Sequence, residues 1–160
     1  MIPFQYDYLN FLKLLESFAD NHQMIKRFST DFDEQFNQKC TIDNIYPFMY
    51  VAPRQGTAGV NTSTYTFRVY VVDQLQKDRS NVGYILNDTS FILGNLRILL
   101  GETNDEIPVT LINTPVVVPL NNFGVDFLAG HYADFEIEYD SAGLCDIPFT
   151  VYPTVSGTTC

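Results

Sequence analysis

Four carboxylates set two residues apart are the first chemically suggestive feature of this chain. From Leu128 to Asp140 the sequence runs Leu-Ala-Gly-His-Tyr-Ala-Asp-Phe-Glu-Ile-Glu-Tyr-Asp, and its second half alternates strictly. Successive strand residues point to opposite sides with a rise of about 3.3 Å, so Asp134, Glu136, Glu138 and Asp140 form one acidic ladder with neighbours about 6.6 Å apart. His131, Ala133, Phe135, Ile137 and Tyr139 share the other face. Glu136 and Glu138 have roughly the separation of a glycosidase pair. That chemistry needs one acid held in an apolar environment to raise its pKa, whereas a solvent-facing ladder gives both the same surroundings. Hard oxygen ligands suit calcium, yet the spacing of a calcium loop with its central glycine is absent, and no metal or cofactor is expected. Like charges on one strand face repel, so a folded monomer gains nothing from the ladder. Its expected use lies outside the monomer, as an acidic wall, a match for a partner's basic surface, or a hold on a cation.

The other reactive residue types lead away from catalysis. His22 and His131 are the only histidines, and neither adjoins a Cys in a catalytic signature. A lone His on the apolar face of a strand is more often satisfied structurally than used as a base. Ser141 and Ser156 lack the Gly-x-Ser-x-Gly context of a nucleophile elbow. Gly56 and Gly59 have no following Lys and therefore build no phosphate-binding loop. Cys40, Cys145 and Cys160 are odd in number and without Cys-x-x-Cys spacing, which fits a reducing compartment and argues against both a disulfide framework and a thiolate zinc site. These residues together predict a protein that is not an enzyme.

Charge narrows the partners. The formal net charge is −10, and the stretch from Ile98 to Cys160 holds nine carboxylates and no Lys or Arg, every basic residue falling between Lys13 and Arg97. Such a surface repels nucleic-acid phosphates and anionic lipid alike, which disfavours specific DNA binding and membrane association. A conduit through which DNA slides, however, works better with a wall that repels phosphate than with one that grips it. The N-terminus, Met1-Ile2-Pro3-Phe4-Gln5-Tyr6-Asp7, lacks the basic start and apolar core of a signal peptide, and no apolar run approaches the ~20 residues that span a bilayer, so synthesis and retention in cytoplasm are expected. The 23 aromatic residues exceed what a core of this size requires, and several are expected at interfaces.

These residues need a scaffold. A chain of 160 residues is one ordinary domain able to bury roughly 70 percent of its unfolded surface. After Pro3, the residues Phe4, Tyr8, Phe11, Leu12, Leu15, Phe18 and Ala19 recur at helical spacing. Phe28, Phe32 and Phe36 among Asp31, Asp33 and Glu34 read as a short strand followed by an irregular acidic segment. Ile45 to Val51 is apolar on both faces, which predicts a strand covered on both sides or shared with a neighbouring subunit. Pro47 belongs near a strand start or edge. Pro53 to Asn61 is expected as a long loop, followed by a strand from Thr62 to Asp73 with Tyr65, Phe67, Val69 and Val71 alternating against Thr64, Thr66, Arg68 and Tyr70. Asn87 to Ser90 offers caps for a second helix that Gly101 ends. Val109 to Leu120, interrupted by Pro115 and Pro119, should pair in two short pieces. The fold class is therefore α+β, a mainly antiparallel sheet of four to five strands with two helices on one face. Residues 1–140 form the domain, and 141–160, with Leu144, Ile147, Phe149, Val151 and Tyr152 between Pro148 and Pro153, an extended C-terminal arm.

Ile45-Tyr46-Pro47-Phe48-Met49-Tyr50-Val51, the strand end Val71-Val72-Asp73, the helix opening Asn87-Asp88-Thr89, and Leu128-Ala129-Gly130 before the last strand together resemble the neck and tail completion proteins of tailed bacteriophages, including those of crAss-like phages. The likeness spans about residues 8 to 146, with His131 where the family pattern carries an aromatic. It implies a tail-terminator-like fold and a non-enzymatic structural virion protein, a ring in the neck joining portal and head to tail, made in the host cytoplasm. Its partners would be copies of itself in a six- or twelve-fold ring, the portal, and other neck or tail proteins, with DNA met in non-specific passage and no membrane. The ladder Asp134, Glu136, Glu138 and Asp140 would then line the lumen, and Tyr46, Phe48, Tyr50, Arg54, Gln55, Phe149 and Tyr152 would be candidates for subunit interfaces. The alternative is a cytosolic assembly adaptor or a small acidic ligand-binding domain that the particle does not retain.

Overall fold

The computed structural model describes residues 8–43, 45–59, 62–101, 109–123 and 127–140, with the side chains of 42, 43, 122, 123 and 140 left aside. The order of elements is α1 (Tyr8–Asn21), β1 (Arg27–Thr30), a single 3-10 turn (Asp33–Gln35), α2 (Phe36–Asp43), β2 (Phe48–Thr57), β3 (Thr62–Gln74), α3 (Val82–Gly101), β4 (Val109–Leu111), β5 (Val118–Phe123) and β6 (Leu128–Asp140). The class is α+β, as expected, but the sheet is mixed and has six strands in the order β1-β2-β3-β6-β4, with β5 also on β6. β1 runs parallel to β2, and the remaining pairs are antiparallel. β3 and β6 form the spine, a thirteen-residue pairing in unbroken register from Thr62 opposite Asp140 to Gln74 opposite Leu128.

Strand alternation sorts the core into two layers. On one face Met49, Val51, Phe67, Val69, Val71, Ala133, Phe135 and Ile137 meet Phe11, Leu15 and Ala19 of α1 and Ile92, Leu93, Leu96 and Leu100 of α3. These helices are the two predicted for one face, although α3 begins at Val82, five residues before the predicted caps. On the opposite face Phe48, Tyr50, Ala52, Tyr70, Val72 and Leu128 meet Phe36 and Cys40 of α2. A third helix therefore stands where an irregular acidic segment was expected. Burial on both faces explains why the start of β2 is apolar throughout, each residue from Phe48 to Ala52 being 0 % exposed.

β2 also runs further than its composition indicates. The expected loop from Pro53 is strand as far as Thr57, because a bulge between Pro53 and Gln55 leaves Arg54 unmatched and the pairing resumes with Gln55 opposite Thr66. Val109 to Leu120 does pair in two pieces. Between them Asn113 stands in for backbone, donating through Nδ2 to Asp134 O at 2.8 Å and accepting from Glu136 N at 2.8 Å. Among the described residues no helix is long and apolar enough to cross a membrane.

Candidate functional site

The face of β3 and β6 that carries the ladder is half aromatic and half polar. Going along β3, Tyr70 lies opposite Tyr132, Arg68 opposite Asp134, Thr66 opposite Glu136, Thr64 opposite Glu138, and the Thr62 backbone opposite that of Asp140. The side chain of Asp140 lies outside the described residues. Thr64 also meets Thr57 of β2, hydroxyl to hydroxyl at 2.7 Å. The carboxylates thus face a row of hydroxyls and a single guanidinium.

That guanidinium corrects the premise that the ladder does nothing for the monomer. Arg68 grips Asp134 with two hydrogen bonds, Nε to Oδ1 at 2.7 Å and Nη2 to Oδ2 at 2.9 Å, and lies 4.5 Å over the Tyr132 ring. The bond to Asp134 holds the Arg68 pKa above its ordinary value. Polar contacts continue from there. Tyr70, its pKa pushed up to about 12 chiefly by burial, meets Arg68 and donates to Asp33 Oδ1 at 3.0 Å. Arg54, the bulge residue, pairs with Asp33 Oδ2. The resulting chain, Arg54–Asp33–Tyr70–Arg68–Asp134, marks the boundary between the aromatic half under α2 and the polar half. Glu136 and Glu138, by contrast, form no ion pair among the described residues.

A double-mutant cycle with Arg68→Met and Asp134→Asn checks this link. The Asp134 side chain is 39 % exposed, so solvent screening limits the expected coupling to about 1 kcal/mol at low salt, and it should shrink in 1 M salt. A coupling near zero at low salt would mean that the two groups are neighbours without mutual stabilisation.

The remaining predicted residues separate. Phe48 and Tyr50, offered as interface residues, are completely buried in the chain's own core, and the Tyr50 hydroxyl donates to Phe32 O at 2.8 Å. Two-sided burial within one chain accounts for their apolar character and withdraws them from the accessible surface. Tyr46 is half-buried and donates to Cys40 O at 2.9 Å. Arg54 and Gln55 are exposed and, with Tyr8, Phe32, Pro53 and Tyr65, line an open cleft of about 530 Å³. Phe149 and Tyr152 lie outside the described residues.

Both histidines are built into packing. Thr89 spends its one hydroxyl proton on Ile85 O at 2.7 Å, so at 2.8 Å it accepts from His131 Nδ1, and burial lowers the pKa of this ring. His22 Nδ1 accepts from Met24 N at 3.2 Å, its Nε2 lies 3.2 Å from the Asn95 amide, and burial again favours the neutral ring. Among the described residues no three His, Cys, Asp or Glu side chains converge as a metal site. The partner of Asp134 escaped the sequence reading because Arg68 lies 66 residues away. The available signal was that Arg68 alternates with Thr64 and Thr66 on one face of a strand as long as the ladder's own.

No known family model matches the sequence, and no curated protein matches it.

Proposed function

We propose that this chain is a structural, non-enzymatic virion protein, made in the host cytoplasm, whose copies form a ring in the neck of a tailed bacteriophage between portal and tail. The observation that carries the reading is the pair Glu136 and Glu138, set on the rigid β3–β6 spine and left without a cation among the described residues while Asp134 is neutralised. Fixed acid on an inflexible wall repels phosphate at every step of DNA passage and binds none of it, which is the electrostatic requirement of a conduit. The resemblance in the Tyr-Pro-Phe and Leu-Ala-Gly phrases supports the same assignment.

The test replaces Glu136 and Glu138 by Gln together and leaves Asp134 in place, since Asp134 belongs to the fold. Stability should stay within about 0.5 kcal/mol of the parent, while particle maturation or genome ejection in the corresponding phage falls at least about tenfold. Normal infectivity of that variant would remove the lining role. The cleft beside Arg54 favours one competing reading, a ligand-binding domain or adaptor that leaves before the particle is finished. Mass spectrometry of purified particles separates the two, because a ring subunit is retained in stoichiometric amount.

A further inference from the structure

α3 is twenty residues long, and its inner side is accounted for by Ile85, Thr89, Ile92, Leu93, Leu96 and Leu100. Its outer side carries exposed Asn87, Ser90 and Arg97, yet three large apolar residues stand among them where an ordinary surface helix is polar. Tyr84 is 76 % exposed, Phe91 57 % and Ile98 58 %. These three stand seven residues apart, so they form one ridge along the helix. Beside the ridge Gly83, Gly94 and Gly101 leave open space where a side chain would stand, with nothing within 4 Å of the position of an added Cβ. Small residues beside an apolar ridge let a second helix approach closely enough to meet the ridge.

We infer that α3 is a homotypic contact, in which two copies of the chain pack this helix antiparallel about a two-fold axis at Phe91. Two features select a second copy as the occupant. Tyr84 and Ile98 each lie seven residues from Phe91, so an antiparallel pair centred there sets Tyr84 of one copy against Ile98 of the other, twice. An isologous contact needs that self-complementarity. Charge points the same way. In a protein of net charge −10, α3 carries Asp88 and Arg97 and no other charged residue, so the contact joins no net acid. The ridge exposes roughly 400 Å² per copy, about half of what a standard interface buries on each side, which makes the pair weak and reversible. This contact does not depend on the ring reading, since a closed two-fold pair and a cyclic head-to-tail ring use different surfaces.

Sedimentation velocity of the full chain from about 1 to 500 μM tests it, with Leu9→Glu as a control on α1, where Leu9 is equally exposed. The parent and the control should pass from monomer to dimer over this range. Phe91→Glu and Gly94→Leu should each raise the dissociation constant at least about tenfold without changing the circular dichroism. Register is read by oxidation in a Cys145→Ser, Cys160→Ser background. Phe91→Cys should cross-link to itself, and an equimolar mixture of Tyr84→Cys and Ile98→Cys should cross-link while each alone does not. A parent that stays monomeric throughout, or association that survives Phe91→Glu, overturns the proposal. So does a monomeric parent in which Phe91→Glu blocks entry into particles, which would give the ridge to a different protein.

Discussion

Replacing Gly130 by Ala is expected to cost about 3–5 kcal/mol, enough to unfold a large fraction of a domain whose whole stability lies in the ordinary range of about 5–15 kcal/mol. Gly130 sits in β6 opposite Val72, and a Cβ added there would stand 2.0 Å from Val71 O and 2.8 Å from Val72 Cα. Ordinary overpacking costs about 1–3 kcal/mol because side chains can rotate aside. Here the obstacle is backbone, and Val71 and Val72 are themselves 0 % exposed between two packed faces. Relief requires prising β3 from β6 at the middle of the sheet. The φ of Gly130, +159°, adds a backbone conformation that residues with a Cβ rarely adopt. Urea denaturation followed by circular dichroism should therefore show a large fall in midpoint with an unchanged m-value. A loss below about 1 kcal/mol would mean that the two strands can separate locally at little cost, and that the spine is not the rigid wall proposed for the conduit.

The Leu-Ala-Gly phrase thus has a physical meaning that its residue types did not disclose. Glycine before a strand reads as a turn signal, whereas this glycine lies inside β6 at a point of close backbone approach. Other parts were legible because one strong periodicity controls them. The alternation from His131 to Tyr139 sends Ala133, Phe135 and Ile137 inward with at most 2 % exposure, and the three-and-four spacing of α1 sends Phe11, Leu15 and Ala19 the same way. α2 was illegible for the opposite reason. Among its described side chains Phe36 and Cys40, one turn apart, are buried, and two such positions make no stripe against which a helical period can be counted. Pro53 misled because a proline normally ends a central strand, and nothing in the local sequence states that a bulge at Arg54 will absorb it. The ion pair of Arg68 with Asp134 depends on strand register, which is a property of the assembled sheet.

Phe36→Ala should be the most damaging single truncation on the face beneath α2, at about 3–5 kcal/mol. The ring is 1 % exposed, stacks on Tyr70 with centroids 4.2 Å apart, and also packs on Tyr50 at 5.0 Å and Phe48 at 6.3 Å. Aromatic pairs of this kind contribute about 0.5–1.5 kcal/mol beyond the area they bury, so the removal takes both transfer and geometric terms. The damage should spread in one direction. The 3-10 turn immediately before Phe36 carries Asp33, which receives the Tyr70 hydroxyl and pairs with Arg54. Without the Phe36 anchor, this turn loses the packing that presents Asp33 to the sheet, and the chain of contacts reaching Arg68 and Asp134 is cut at its first link. Hydrogen exchange should accordingly show protection lost across residues 33 to 43 while the β3–β6 spine stays protected, and Phe36→Leu should recover much of the stability but not the stacking. If α2 stays protected in the alanine variant, the helix is held by something other than this ring, and the polar network does not owe its position to the aromatic cluster.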